Sequence, residues 1–183
     1  MKARENPFRA QRVLTIRYEP QGWTWPDLMR RLATMNYRGA IVGPEGSGKT
    51  TLLEDLAPHL HERGLTPKYL RLDREHTSFD AATLNAFFSG LTDRDVICFD
   101  GCEQLSERKW REFQKRAERA AGLIVTMHEA GRLPTITECS TSPKLLAEII
   151  ERLSPEYPVD VLALHARHRG NIRDALRELY DAM

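Results

Sequence analysis

The run RGAIVGPEGSGKTTLLEDL, from Arg38 to Leu56, does most to restrict what this chain can fold into. Its first residues are compactly apolar and read as a strand ending at Gly43. Leu52, Leu53, Leu56 and Leu60 then recur at helical spacing and stop at Gly64, a natural helix end. Pro58 is expected to bend that helix. A strand that passes into a helix through a short glycine-rich turn is a βα unit, the building block of α/β sheets.

The turn itself has a chemistry. Residues 43 to 50 match G-x-x-x-x-G-K-[ST] between the expected strand and helix. Glycines let the backbone fold around an anion with several N–H groups pointing inward, and the helix beginning near Gly48 adds its positive end. The binding set is therefore Gly43, Pro44, Glu45, Gly46, Ser47, Gly48, Lys49, Thr50 and Thr51. Lys49 is placed to reach β and γ phosphates, and the Thr50 hydroxyl to complete Mg²⁺ coordination. The ligand expected is a nucleoside triphosphate.

The rest of the chain repeats the alternation. A short strand is read at about Val13 to Tyr18, then a helix capped near Thr24 with Pro26 in its first turn and Leu28, Leu32 and Met35 on one face. After the glycine-rich turn come a strand in PKYLRLD, a helix in DAATLNAFFSG, and DVICFD, whose continuous apolar character suits the middle of a parallel sheet. SERKWREFQKRAERAAG puts Trp110, Phe113, Ala117 and Ala120 on one stripe; LIVTM and PTITEC read as strands and SPKLLAEIIERL as a helix. From Ser154 onward two helices part near Gly170 with no strand pattern. The expected fold is α/β, with helices on both faces of a mainly parallel sheet of about five strands and a small C-terminal helical lid. The expected division is residues 1–37 as an N-terminal strand and helix, 38–154 as the core and 155–183 as the lid.

Composition narrows the setting. With 183 residues, 41% of them hydrophobic, the chain has room for one domain with a real core. Its 27 Lys plus Arg nearly cancel 26 Asp plus Glu, so net charge gives no argument for nucleic acid or an anionic membrane. The apolar runs are too short to span a bilayer, the first residues have no apolar leader core, and three cysteines without a C-x-x-C pair suit reduced thiols. A cytoplasmic protein is expected.

VICFDGCEQL supplies a second element: an apolar strand ending in Asp100, whose carboxylate would hold Mg²⁺ through water beside the glycine-rich turn. Many ATPases with this turn place a Glu directly after that Asp, but here the residue is Gly101. Glu103 is the nearest carboxylate, and two readings of it stand: a base reaching over the nucleotide, or a solvated residue preceding a helix.

With GPEGSGKTTLL, VICFDGCEQL, LIVTMH and GNIRDAL in view, the chain resembles the AAA+ and STAND-like ATPases of the additional-strand P-loop class. The resemblance covers roughly residues 38 to 183. It implies ATP and Mg²⁺ as ligands, and that LIVTM lies in space between the strands of the two phosphate-site motifs. That strand would end in a polar sensor of the γ-phosphate, Thr126 or His128, the latter also readable as an ordinary loop histidine. It further implies that Arg173 in GNIRDAL touches the γ-phosphate and couples the lid to nucleotide state; the competing reading pairs Arg173 with Asp174 or Glu178. Arg132, Arg152 and Arg167 are the candidates for an arginine acting on a neighbouring copy in an oligomer. The segments NPF and GWTWP are placed either over the adenine or as core and cap.

Three functions follow. The leading one is an Mg²⁺-dependent ATPase that switches a protein partner, with Lys49, Glu103, His128 and Arg173 in the catalytic roles. The second is a small-molecule or nucleotide kinase, with Arg71, Asp73 and Arg74 binding the acceptor. The third is a nucleotide-sensing module that does not hydrolyse.

Overall fold

The computed structural model describes residues 3–20 and 22–183. In chain order the elements are α1 (Ala10–Val13), α2 (Trp25–Thr34), β1 (Arg38–Val42), α3 (Lys49–His61), β2 (Thr66–Arg71), α4 (Ala81–Ser89) and β3 (Asp95–Asp100). These are followed by α5 (Glu107–Ala117), β4 (Gly122–Met127), β5 (Thr135–Glu138), α6 (Pro143–Leu153), α7 (Val161–Arg167) and α8 (Ile172–Asp181). The five strands form one all-parallel sheet in the order β2-β3-β4-β1-β5. β4 thus lies between β1 and β3.

A parallel sheet with helices on both faces needs strands that are apolar on both sides. β3 and β4 meet this need. Ile97, Phe99, Leu123 and Val125 point to one face, where they pack with Phe88 of α4 and with Trp110, Phe113 and Ala117 of α5. Val96, Cys98 and Ile124 point to the other, against Leu28 and Leu32 of α2 and Leu52, Leu53 and Leu56 of α3. The result is a helix layer, a sheet and a second helix layer. α6, α7 and α8 hold a third apolar cluster of their own, Leu146, Ile150, Leu164, Ile172 and Leu176 among them, which also takes in Phe8. As the sequence leads one to expect, α7 and α8 part at Gly170, whose φ is +82°.

Side-chain caps start most helices. Thr24, Asp80, Ser106, Ser142, Asp160 and Asn171 each accept a hydrogen bond from the amide three residues on. Among the described helices of seven residues or more, α3 alone has no such cap; Gly48 stands there in a left-handed conformation, φ 86°. The first amides of α3 are therefore left for another acceptor.

The strand expected at Val13 to Tyr18 is absent. The chain there makes the single turn α1 and then irregular backbone, and the Tyr18 amide donates to Asp55 Oδ2 at 2.7 Å, not to a neighbouring strand. The alternation misleads because its apolar residues serve different bodies. Val13 and Ile16 pack on the C-terminal helices, Tyr18 packs beside α2 and α3, and Leu14 is exposed. No helix among the described residues is long and apolar enough to cross a membrane.

Candidate functional site

The loop 43–48 leaves the C-terminal end of β1 and runs into the uncapped start of α3. Gly46 and Gly48 have φ of +74° and +86°, so the turn needs residues free of the left-handed penalty. A Cβ on Gly46 would also lie 2.0 Å from Asn171 Oδ1, so the first residue of the α8 cap sits directly on the loop. Inside, Ser47 is buried and its hydroxyl donates to the Pro44 carbonyl at 2.8 Å. Lys49 folds back over the loop: its Nζ donates to the carbonyls of Gly43 and Pro44, both at 2.8 Å. Burial holds the Lys49 ammonium below the usual lysine value, opposed by the nearby Glu103, Cys139 and Asp100.

Across the cleft, Asp100 ends β3 and is held at both oxygens. Oδ2 accepts from the Thr50 hydroxyl at 3.0 Å and Oδ1 from the Thr126 hydroxyl at 2.6 Å. Thr126, 1% exposed on β4, in turn accepts from the Gly101 amide at 2.9 Å. The strand between β1 and β3 therefore fixes the carboxylate of one and the turn that follows it. Thr126 holds Asp100 in place, and both it and His128, the other residue considered at this strand end, border the cleft.

Glu103 lies on a 3-10 turn, Cys102–Gln104. Its Oε1 is 3.5 Å from His128 Nε2, while Oε2 is buried without a hydrogen-bond partner. Its side chain, 26% exposed, is no solvated surface group. Glu103 and His128 stand between two cavities. One, of about 400 Å³, carries the glycine-rich loop, Asp100 and Arg173. The other, of about 650 Å³, opens toward Trp110 and Arg132.

Arg173 is exposed at the start of α8 and borders the smaller cavity. No ion pair joins it to Asp174 or Glu178 among the described residues; Asp174 accepts from Asn171 Nδ2 at 2.8 Å, and Glu178 is taken by Arg167 and His168. The cleft thus gathers Lys49, Thr50, Asp100, Glu103, His128 and Arg173 from widely separated parts of the chain. Glu45 lies on its exposed rim and Thr51 borders it from the first turn of α3, whereas Gly43 and Pro44 do not line it.

The aromatic segments lie elsewhere. Phe8 packs edge-on against Tyr157, with ring centres 5.0 Å apart, in the cluster of the C-terminal helices. Trp25 stacks on His59 at 4.3 Å, and Trp23 lies under the guanidinium of Arg31 at 5.5 Å. None of these aromatic residues lines the cleft.

The donor set suits a hard cation. Among the described residues no group of three or more His, Cys, Asp or Glu is arranged for a metal. One hydroxyl and one carboxylate, Thr50 and Asp100, are what Mg²⁺ takes from a protein when phosphate oxygens and water complete its octahedron.

Two residues that support this region escape the sequence reading. Asp55 is 6% exposed and ties the N-terminal segment to α3, accepting from Arg17 Nη1 and the Tyr18 amide, both at 2.7 Å. A carboxylate set within the apolar stripe Leu52, Leu53 and Leu56 was the available signal. Asn171 is the other; its place before Ile172 marked it as a cap, but nothing in the sequence marked its contact with the loop. No protein-family model matches this chain, and no curated protein matches its sequence.

Proposed function

We propose that this chain is an Mg²⁺-dependent ATPase of the additional-strand P-loop class, acting as a nucleotide-controlled switch on a protein partner. The observation that carries the proposal is one carboxylate, Asp100, shared by the hydroxyl of Thr50 beside Lys49 and by Thr126 on the strand between. Positive-φ glycines and the uncapped start of α3 support a polyphosphate in the loop.

In this mechanism the triphosphate takes Lys49 away from the carbonyls of Gly43 and Pro44 and places its ammonium on the β and γ phosphates. Thr50 and, through water, Asp100 would hold Mg²⁺, which when bound would supply neutralisation of phosphate charge. Glu103 uses its unpartnered Oε2 to accept a proton from the attacking water, while His128 steadies the other oxygen. Arg173 approaches the γ-phosphate from α8. Because Asn171 touches Gly46, the same helix registers the shape of the loop. Catalysis is chiefly positioning and charge stabilisation.

The kinase reading retains one observation, that Arg71, Asp73 and Arg74 border the same cleft. Against it, the helical unit follows the last strand in the chain and no such unit precedes β5. Product analysis separates the two: free phosphate is expected, and a phosphorylated acceptor with no phosphate release would replace the ATPase. Lys49→Ala should abolish ATP binding in a calorimetric titration, and unchanged affinity would end the proposal. Glu103→Gln should bind ATP and turn it over slowly.

A further inference from the structure

Breaking the bond to a γ-phosphate spreads negative charge over the transferring group, and an arginine placed there in cis or in trans is a large part of many such catalysts. The three arginines considered for service to a neighbouring copy are all engaged at home. Arg132 donates to the carbonyls of Cys102 and Leu105 and lies 5.3 Å over the Trp110 ring. Arg152 pairs with Glu19, and Arg167 with Glu178.

Resting on the ATPase reading, the geometry points to Arg71 as a catalytic cation acting on the γ-phosphate within its own chain. Arg71 is the last residue of β2 and lies directly beside Asp100 in the parallel register of β2 and β3. Its Nε is 3.7 Å from Asp100 Oδ2, the same oxygen that accepts from Thr50. At that length the contact is an ion pair and not a hydrogen bond. Among the described residues no hydrogen bond uses the guanidinium, which is 59% exposed and borders the cleft. Arg74, three residues on, is already paired with Glu45 at 2.9 Å. Arg71 is therefore the cation at the metal side of the cleft whose planar fork is open to a phosphate.

The order of events follows from the shared oxygen. Were Asp100 to hold Mg²⁺ through water, its pull on Arg71 would weaken and the guanidinium would be free to move to the γ-phosphate oxygens. The water oxygen then bonds to the γ-phosphorus, its proton passes to Glu103, and the bond from that phosphorus to the bridging oxygen breaks with its electron pair left on ADP. Arg71 keeps its charge throughout and meets the charge that develops.

The test compares wild type, Arg71→Ala and Arg71→Lys in steady-state phosphate release, with ATP affinity and thermal unfolding measured in parallel. Arg71→Ala is expected to lower kcat by about 100-fold or more with KM changed by less than about threefold; Arg71→Lys, which keeps the charge without the fork, should fall between. The alanine variant should bind ATP yet lose binding of ADP with aluminium fluoride, a planar mimic of the transferring phosphoryl group. Mixing Arg71→Ala with Lys49→Ala should restore nothing, because the arginine serves its own cleft. The inference is overturned if kcat in folded Arg71→Ala stays within about threefold of wild type, if the aluminium fluoride complex forms as in wild type, or if mixing restores turnover. A wild-type chain that binds no ATP fails the ATPase reading itself, and Arg71 with it. Should Arg71→Ala not fold, the lysine variant carries the same comparisons.

Discussion

Gly101 directly follows Asp100, and the structure gives a physical reason why a glycine stands there. Its φ is +80°, and a Cβ there would lie 2.1 Å from the carbonyl oxygen of Leu72. That oxygen cannot easily retreat, because the Leu72 amide donates to the Asp100 carbonyl at 2.9 Å and the Leu72 side chain is buried. Gly101→Ala should incur a left-handed penalty of about 1–2 kcal/mol and an overpacking term of about 1–3 kcal/mol. The stiffer unfolded chain offsets about 0.4–1 kcal/mol of this. The expected net loss is about 2–4 kcal/mol, a fall in Tm of about 5–12 °C for a chain of this size. Gly64→Ala is the internal control: its φ is +72° with nothing within 4 Å of the added Cβ, so only the backbone penalty of about 1 kcal/mol applies. Urea unfolding followed by circular dichroism measures both. A loss in Gly101→Ala no larger than in Gly64→Ala would refute the close-approach argument. Gly101→Glu should be destabilised at least as much and, if Glu103 is the base as proposed, should not raise phosphate release.

Thr126→Val keeps the shape but removes the hydroxyl between Asp100 and the Gly101 amide, a charge-assisted bond. It should lower stability by about 1.5–3 kcal/mol and weaken ATP binding more with Mg²⁺ than without; equal effects in the two titrations would count against a positioning role. Burial pushes the Cys98 and Cys102 thiols up from 9.0 to about 12. The folded state keeps protons that the unfolded chain releases, so this stabilisation is intact below pH 9.0 and is lost as pH rises toward about 12. The slope is up to about 1.4 kcal/mol per pH unit for each thiol. Urea midpoints across that range should fall, and fall less steeply in Cys98→Ala; an identical slope would show that the thiol does not contribute.

How much of this was legible beforehand depended on whether one residue pattern served one packing partner. β1, β3 and β4 were readable because Ile41, Phe99 and Val125 lie in strands covered on both faces, which leaves an unbroken apolar run. α2 and α5 were readable because each buries a single stripe, Leu28 and Leu32 in one, Trp110 and Phe113 in the other. The glycine-rich loop was fixed locally, since its backbone conformation depends on its own residues. Val13 to Tyr18 failed because its side chains divide between two clusters and its backbone amide is met by a side chain, Asp55, distant in sequence. For the same reason the pairing of Glu103 with His128, the openness of Arg71 and the seating of Asn171 on Gly46 were invisible: each depends on which strand ends become neighbours, and no single segment records the strand order.

The N-terminal segment belongs to both halves of the molecule. Ile16 packs in the apolar cluster of the C-terminal helices, whereas Arg17 and Tyr18 are fastened to Asp55 on α3. Two residues of chain reach at most about 7 Å, so this tether caps how far those helices can travel from the sheet while both ends hold. A wide excursion of the C-terminal helices would first have to unfasten Tyr18 from Asp55.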